Sequence, residues 1–295
     1  MTGASRGIGK GIAIALCKRG ATVYITGRTM TSASEGVQAL GSLTQTAAEA
    51  ARGGGRCIPV SCDHASDIST EAMFAQVRRD EGRLDCLVNN AFGGADVVQL
   101  AGKKFFEKPI AVWDAAHTVG LRSHYICSVY AAKLMLETPS QPTRLIVNIS
   151  SAAGLGYFYD VAYGVGKAGV DRLAADMANE LRDYNIACLS LWPGAVRTEY
   201  LLQQGSAIGG MKFKDEDMES PEFTGIAIAA LLTDPQLLSK SGRVLQSAEA
   251  AAEYGFRDTD GSPKMPLVPT TLVDMSLPNM RAAAERKRKQ NRPKL

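Results

Sequence analysis

Short apolar segments alternate along the chain with longer stretches in which apolar residues recur at helical spacing. Uninterrupted apolar runs between turn residues are typical of buried strands, and the amphipathic stretches are typical of helices. Their regular alternation indicates parallel strands joined by right-handed crossovers. We therefore predict an α/β fold in which a doubly wound parallel sheet lies between two layers of helices. The predicted strands cover residues 21–26, 57–62, 84–89, 144–150, 186–191 and 243–246.

A glycine-rich turn near Met1 leads into a helical pattern that contains Ile12 and Leu16. Glycines let backbone N–H groups approach a pyrophosphate closely, and the helix N-terminus adds a favourable dipole. Open α/β sheets bind ligands at the carboxyl ends of their strands, where this turn falls. We predict nucleotide binding by this turn, with contacts from Gly3, Ser5, Arg6, Gly7, Ile8 and Gly9.

Tyr163 and Lys167 are four residues apart in a second motif, and Ser151 precedes them. On a helix they share one face, so the lysine ammonium favours ionisation of the phenol. This moves the tyrosine toward the range in which general acid catalysis is efficient, and a serine hydroxyl can hold a carbonyl oxygen. The motif alone is weak evidence, since a surface lysine one turn beyond a packed tyrosine has the same spacing.

Together these motifs resemble the short-chain dehydrogenases/reductases over nearly the whole chain. The family pattern T-G-x-x-x-G-x-G is matched from Thr2 to Gly9, N-N-A-G by Asn89–Phe92, and P-G-x-V-x-T by Pro193–Thr198. Four further segments narrow the resemblance to one member of the family: 23–29, 119–125, 191–194 and 254–261.

The resemblance implies a Rossmann-type single domain over 1–265, a substrate lid at about 200–221, a C-terminal extension over 266–295 and assembly as a homodimer or homotetramer. It further implies that Ser151, Tyr163 and Lys167 are catalytic. The implied cofactor contacts beyond the glycine turn are Asp63, Asn89, Ala91, Tyr163, Lys167, Pro193, Gly194, Val196 and Thr198. Asp63 and Asn89 are equally compatible with ordinary turn positions.

Charge favours NADP(H) over NAD(H) as the cofactor. NAD-binding versions of this fold place an acidic residue after the second strand, whereas this chain has Arg28 there and Arg6 in the glycine turn. Two guanidinium groups suit a 2′-phosphate. The alternative is that Arg28 is a solvated surface charge.

Two features depart from the family pattern. No strand precedes Thr2, and without it two neighbouring strands would lack a ladder partner. We therefore expect a truncated start. We also expect poor solubility or weak activity, which an added apolar strand would rescue.

The second departure lies in His117–Gly120, where Thr118 takes the position of the family asparagine that holds a relay water. We predict a catalytic role for Thr118, with a slower relay or a path through His117.

Composition excludes nucleic-acid-binding and membrane-spanning classes of protein. A net charge of +3 over 295 residues gives no nucleic-acid footprint, and the apolar run 226–232 is too short for a membrane span. Single cysteines without C-x-x-C spacing predict reduced thiols, no metal site, and an intracellular, mainly cytoplasmic location. The basic stretch 281–294 predicts a disordered tail, with membrane-surface binding or nuclear import as alternatives.

The predicted function is reduction of a small-molecule ketone or aldehyde by NADPH. An apolar substrate fits a lid face formed by Leu201, Leu202, Met211, Phe213 and Met218 and a facing wall of Phe92, Val97, Val98 and Leu100. The sequence does not distinguish among steroid, retinoid, quinone and xenobiotic carbonyls as substrates. The alternatives are a nucleotide-binding pseudoenzyme and a sugar-nucleotide epimerase or dehydratase, whose glycine spacing and larger C-terminal domain this chain lacks.

Overall fold

The computed structural model describes residues 1–32, 40–94, 100, 102–138, 142–158, 160–208 and 211–276. Its strands are β1 Thr22–Gly27, β2 Arg56–Ser61, β3 Cys86–Asn89, β4 Arg144–Ile149, β5 Ile186–Trp192, β6 Ala207–Ile208, β7 Met211–Lys212 and β8 Val244–Gln246. Its helices are α1 Gly7–Cys17, α2 Leu43–Ala51, α3 Asp67–Glu81, α4 Ala111–His117, α5 Ser123–Leu136, α6 Val161–Leu181, α7 Glu199–Gln203, α8 Phe223–Leu232, α9 Ser247–Tyr254 and α10 Thr270–Ser276.

All six predicted strands are present and parallel. β1 pairs with β2, and β3, β4, β5 and β8 form a second sheet in that order. Every residue of β4 and β5 is buried, because helices cover both faces of the sheet. One apolar cluster on each side of the strands forms the core, so the predicted three-layer α/β fold is confirmed.

Residues 1–4 lie between β1 and β3 and connect the two sheets. Thr2 forms a parallel bridge with Thr26, and its backbone N–H donates to Val88 O at 3.0 Å. The Met1 ammonium donates to Tyr24 O at 2.9 Å. A cavity of about 460 Å³ adjoins these residues between β1 and β3, at the place where the family pattern has its first strand.

The segment predicted as a lid has more structure than its polar sequence indicates. It contains α7 and the antiparallel pair β6 and β7, and near its end the backbone of Glu219 pairs with that of Val196. Leu201 and Met218 are buried, whereas Leu202 is exposed. The predicted contacts of Val97 and Val98, lid residues 209–210 and the basic stretch 281–294 lie outside the described residues.

Within the described ranges, no helix combines the length and hydropathy that a bilayer crossing requires. The six cysteines are free thiols, and four of them are buried.

Candidate active site

Tyr163 and Lys167 lie in the first turns of α6, the long helix that packs against β4 and β5. The Lys167 Nζ is 5.6 Å from the centre of the Tyr163 ring, so the ammonium and the phenol share one face of the helix as predicted. Ser151 ends the extended backbone after β4 and begins a short 3-10 turn that packs on α6. A Cβ at Gly164 would lie 3.2 Å from Ala153 O in this turn, so glycine permits the close approach.

The helix begins at Val161, directly after its cap residue Asp160. The Asp160 Oδ1 accepts hydrogen bonds from the backbone N–H groups of Ala162 at 2.6 Å and Tyr163 at 3.2 Å. Asp160 also forms an ion pair with Lys108, and both side chains are almost fully buried. The cap therefore fixes the turn that holds the candidate acid.

Lys167 is buried beneath this turn, and its Nζ donates to Ile149 O at 3.0 Å. Burial lowers the pKa of Lys167 to about 8, although the charge of Asp171 opposes the shift. Burial raises the pKa of Asp171 to about 6, against hydrogen bonds from Ser190 and Trp192. At neutral pH the lysine is mainly charged, which is the form that lowers the pKa of a neighbouring phenol.

Phe92 packs against both residues of the motif. Its ring meets Tyr163 edge-on with centroids 5.6 Å apart, and Lys167 Nζ lies 5.4 Å from the ring centre. Such a geometry combines an aromatic contact with a cation–π interaction. Leu100 and Tyr163 both pack against a small apolar cluster of Val112, Ala116 and Ala162.

A cleft of about 670 Å³ opens beside Phe92 at the carboxyl ends of β1, β2 and β3. Arg6, Arg28 and Asp63 line it, together with the predicted residues Gly3, Ser5 and Ala91. Burial lowers the pKa of Arg6, the charge of Glu199 opposes this shift, and the charge of Arg28 adds to it. The Arg6 Nη1 atom is buried without a hydrogen-bond partner among the described residues.

The glycine turn has the backbone that its sequence predicts. Gly3 and Gly7 have positive φ angles of 66° and 57°, and a Cβ at Gly9 would lie 2.2 Å from Gly3 O. The Gly7 N–H donates to Glu199 Oε2 at 2.8 Å, so a carboxylate from α7 already satisfies this donor at the start of α1. The turn, the cleft and the unpaired Arg6 nitrogen together fit a dinucleotide phosphate group.

The other predicted contacts have different surroundings. Asn89 is fully buried, and its Nδ2 donates to His124 O, Ser128 Oγ and Asn148 Oδ1, so its side chain ties β3 to α5 and β4 instead of lining the cleft. Asp63 lines the cleft but also accepts a turn hydrogen bond from the Ala65 N–H.

Thr118 keeps helical dihedral angles, with φ −62° and ψ −48°. The break in the helix is centred on Val119 and Gly120, and Val119 O accepts a hydrogen bond from the Gly93 N–H at 2.6 Å. The helix therefore departs from regular geometry directly after Thr118, and the catalytic role of Thr118 stays a prediction.

The segment Pro193–Thr198 leaves β5 and runs alongside Glu219, and Thr198 caps α7. Glu199, Glu219 and Asp160 are residues of this region that sequence reasoning did not assign to the site. Phe92 was assigned to the substrate wall, and it stands where the N-N-A-G pattern has glycine.

The sequence profile described as short chain dehydrogenase matches residues 1–207. The chain is 46% identical over 273 residues to the mouse and human proteins named dehydrogenase/reductase SDR family member 1, covering 89% of this chain and 83% of theirs. This is the member to which the four additional segments pointed. A crystal structure of 3-oxoacyl-(acyl-carrier protein) reductase from Brucella melitensis in complex with NAD has the same fold, with a TM-score of 0.69, 24% identity, and coverage of 85% of this chain and 95% of that one. The chain therefore belongs to the short-chain dehydrogenase/reductase family of oxidoreductases, which bind a nicotinamide cofactor.

Proposed function

We propose that the protein is an NADP(H)-dependent reductase of ketones or aldehydes. The observation that supports this most directly is the placement of Tyr163 and Lys167 on one face of α6, beside Phe92 and the arginine-lined cleft. The related mouse and human proteins are named as a dehydrogenase/reductase, which agrees with this reaction class.

Each residue of the motif has a separate task in this proposal. Tyr163 donates the proton to the carbonyl oxygen, and the charged Lys167 beside it lowers the pKa of the phenol and binds the nicotinamide ribose. Ser151 orients the carbonyl by a hydrogen bond to the oxygen on which negative charge develops. When bound, the cofactor supplies the hydride. The reverse oxidation uses the same groups.

NADP(H) is proposed as the cofactor because Arg6 and Arg28 both line the cleft and the Arg6 Nη1 atom has no partner in the described part of the chain. A 2′-phosphate would satisfy this buried donor with a charge-assisted hydrogen bond. Glycine-turn residues Gly3 to Gly9 would hold the pyrophosphate, and Pro193–Thr198 would cover the nicotinamide. NAD has no 2′-phosphate and would leave this donor without an acceptor.

An apolar carbonyl compound is the proposed substrate class. Phe92 and Leu100 form one wall near Tyr163, and Leu202 of α7 is 51% exposed on the lid. We also propose an intracellular location and a homodimeric or homotetrameric state, on the free thiols and on family precedent.

The test is NADPH and NADH binding followed by turnover on a panel of apolar ketones and aldehydes. We expect Tyr163→Phe to lose about 100-fold or more in kcat with little change in the Kd for NADPH, since it removes only the proton donor. Tyr184→Phe, an exposed tyrosine after α6, is the matched control. Arg28→Ala should weaken NADPH binding about tenfold or more and leave NADH binding unchanged.

Two other outcomes would count against this proposal. Nucleotide binding without turnover of any carbonyl would favour a pseudoenzyme, and equal effects of Arg28→Ala on NADPH and NADH would remove the argument for NADP(H).

A further inference from the structure

Glu219 lies directly beside the segment that leaves β5. Its backbone N–H donates to Ala195 O at 2.7 Å, and its carbonyl accepts from Arg197 N at 2.9 Å, so residues 195–197 and Glu219 form a small parallel ladder. Only 2% of the Glu219 surface is exposed. The residue is therefore part of the support of this segment and is shielded from solvent.

The side chain contacts the same segment a second time. The Gly194 N–H hydrogen-bonds the Glu219 carboxyl, and a Cβ at position 194 would lie 2.8 Å from Glu219 Oε1. The carboxyl packs directly on the backbone of Gly194, and a side chain at this position would displace it. The second oxygen, Oε2, is buried without a hydrogen-bond partner among the described residues.

An ionic cluster from the C-terminal part of the chain holds the neighbouring residue. Asp258 belongs to the segment 254–261 that the sequence singled out, and it accepts a hydrogen bond from Ser220 N at 2.7 Å. Its carboxylate is 3.8 Å from Lys264 Nζ, and Lys264 also donates to Glu216 O at 3.1 Å. Asp258 and Lys264 are both buried, so this cluster ties the end of the lid to the C-terminal segment.

We propose that Glu219 is a positioning residue whose carboxyl fixes Gly194 and with it the segment 193–198 over the cofactor cleft, while Asp258, paired with Lys264, holds the neighbouring Ser220. The geometry of the segment follows from the chain's own contacts, and its effect on the nicotinamide rests on the proposed function. Removal of the carboxyl would leave the Gly194 N–H without its acceptor, and the segment would lose one of its two attachments to Glu219.

Burial and the charge of Asp258 raise the pKa of Glu219 to about 8, against the Gly194 hydrogen bond and Lys264. The other charged groups beside the cluster are Arg197 and Asp260, which pair at 3.4 Å. Below about pH 8 the carboxyl is neutral, and above this value a carboxylate would be buried close to Asp258. The unfolded chain releases the same proton in the ordinary carboxyl range, so Glu219 makes stability decrease as pH rises toward about 8, and the loss levels off above it.

The test compares amide hydrogen exchange in residues 193–198 of the cofactor-free protein for the wild type and two variants. Glu219→Ala removes the acceptor and should speed exchange about tenfold, equivalent to ~1.4 kcal/mol of lost protection. Glu219→Gln keeps an acceptor oxygen and should match the wild type at about pH 4, below the range in which a solvent-exposed carboxyl ionises. At about pH 9.5 the wild type should exchange faster than Glu219→Gln, because only the wild type can ionise there.

Glu216→Gln is the matched control, since Glu216 is an exposed carboxylate three residues away. Equal exchange in Glu219→Ala and the wild type would overturn the proposal, as would the same pH dependence in Glu219→Gln and the wild type. Lys167 also has a pKa of about 8, so a pH profile of activity alone would not separate the two groups. NADPH binding is measured in parallel. A wild type that binds no nicotinamide nucleotide would refute the proposed function, whereas the exchange result would still decide the role of Glu219.

Discussion

Gly120 lies in the break between α4 and α5, and a Cβ there would be 2.8 Å from Cδ2 of the Phe92 ring. We expect Gly120→Ala to push the ring toward Tyr163 and to cost about 1–3 kcal/mol of stability, as other overpacked sites do. Urea unfolding of Gly120→Ala, Phe92→Ala and the double variant measures the coupling. The cost of the alanine at position 120 should fall in the Phe92→Ala background, because the clash partner is gone.

Gly156→Ala is the control for this cycle, since a Cβ at Gly156 meets nothing within 4 Å. Additive effects of Gly120→Ala and Phe92→Ala would show that the ring is not what excludes a side chain at position 120.

Residues whose role follows from local spacing could be predicted from the sequence. Tyr163 and Lys167 share a helix face because they are four residues apart, and the structure has them so. Asn89 stays a prediction as a cofactor contact: its motif fixes its place at the end of β3, whereas the polar groups on α5 and β4 decide the direction of its side chain. The break at Val119 and Gly120 had no sequence signal, because it depends on the contact of Gly93 with Val119 O.

At the scale of elements, α6 depends on a buried ion pair at its first turn. Asp160→Asn keeps the side-chain oxygen that caps Ala162 and Tyr163 but leaves Lys108 as an unpaired buried cation. We expect a loss of about 3–5 kcal/mol in the free energy of unfolding, measured by urea denaturation. Adding Lys108→Met should recover most of it, because a pair of neutral groups replaces the uncompensated charge.

A neutral effect of Asp160→Asn alone would contradict this account of the pair, and failure of Lys108→Met to recover stability would show that the capping geometry had been lost instead.

No sequence pattern indicated the ion pair of Asp160 and Lys108, since its members are 52 residues apart. Element positions were predicted well because apolar runs and glycine turns are local, whereas such pairs follow from tertiary packing.

At the scale of the whole molecule, the two parallel sheets of the described residues meet at residues 1–4. The sequence predicted the positions and the parallel direction of the strands but not this local connection. The parallel direction follows from the strand and helix alternation. The way in which Met1 and Thr2 bond to β1 and β3 depends on backbone groups, which carry no pattern in the sequence.

Thr2 carries much of this connection through its side chain. The Thr2 Oγ1 atom accepts hydrogen bonds from the backbone N–H groups of Asn90 at 2.9 Å and Ala91 at 3.0 Å, and Thr2 is 2% exposed. Thr2→Val keeps the shape but removes the acceptor, so both donors lose their partner in a buried place. We expect a loss of about 2 kcal/mol in thermal or urea unfolding, with weaker binding in the cleft that Ala91 lines.

Thr2→Ser keeps the hydroxyl and loses only a methyl group, so it separates the hydrogen bonds from packing. If Thr2→Val were as stable as the wild type while Thr2→Ser was destabilised, the methyl contact would join the sheets and the two hydrogen bonds would contribute little. The expected order is wild type, then Thr2→Ser, then Thr2→Val, because an unsatisfied pair of buried N–H groups costs more than one missing methyl.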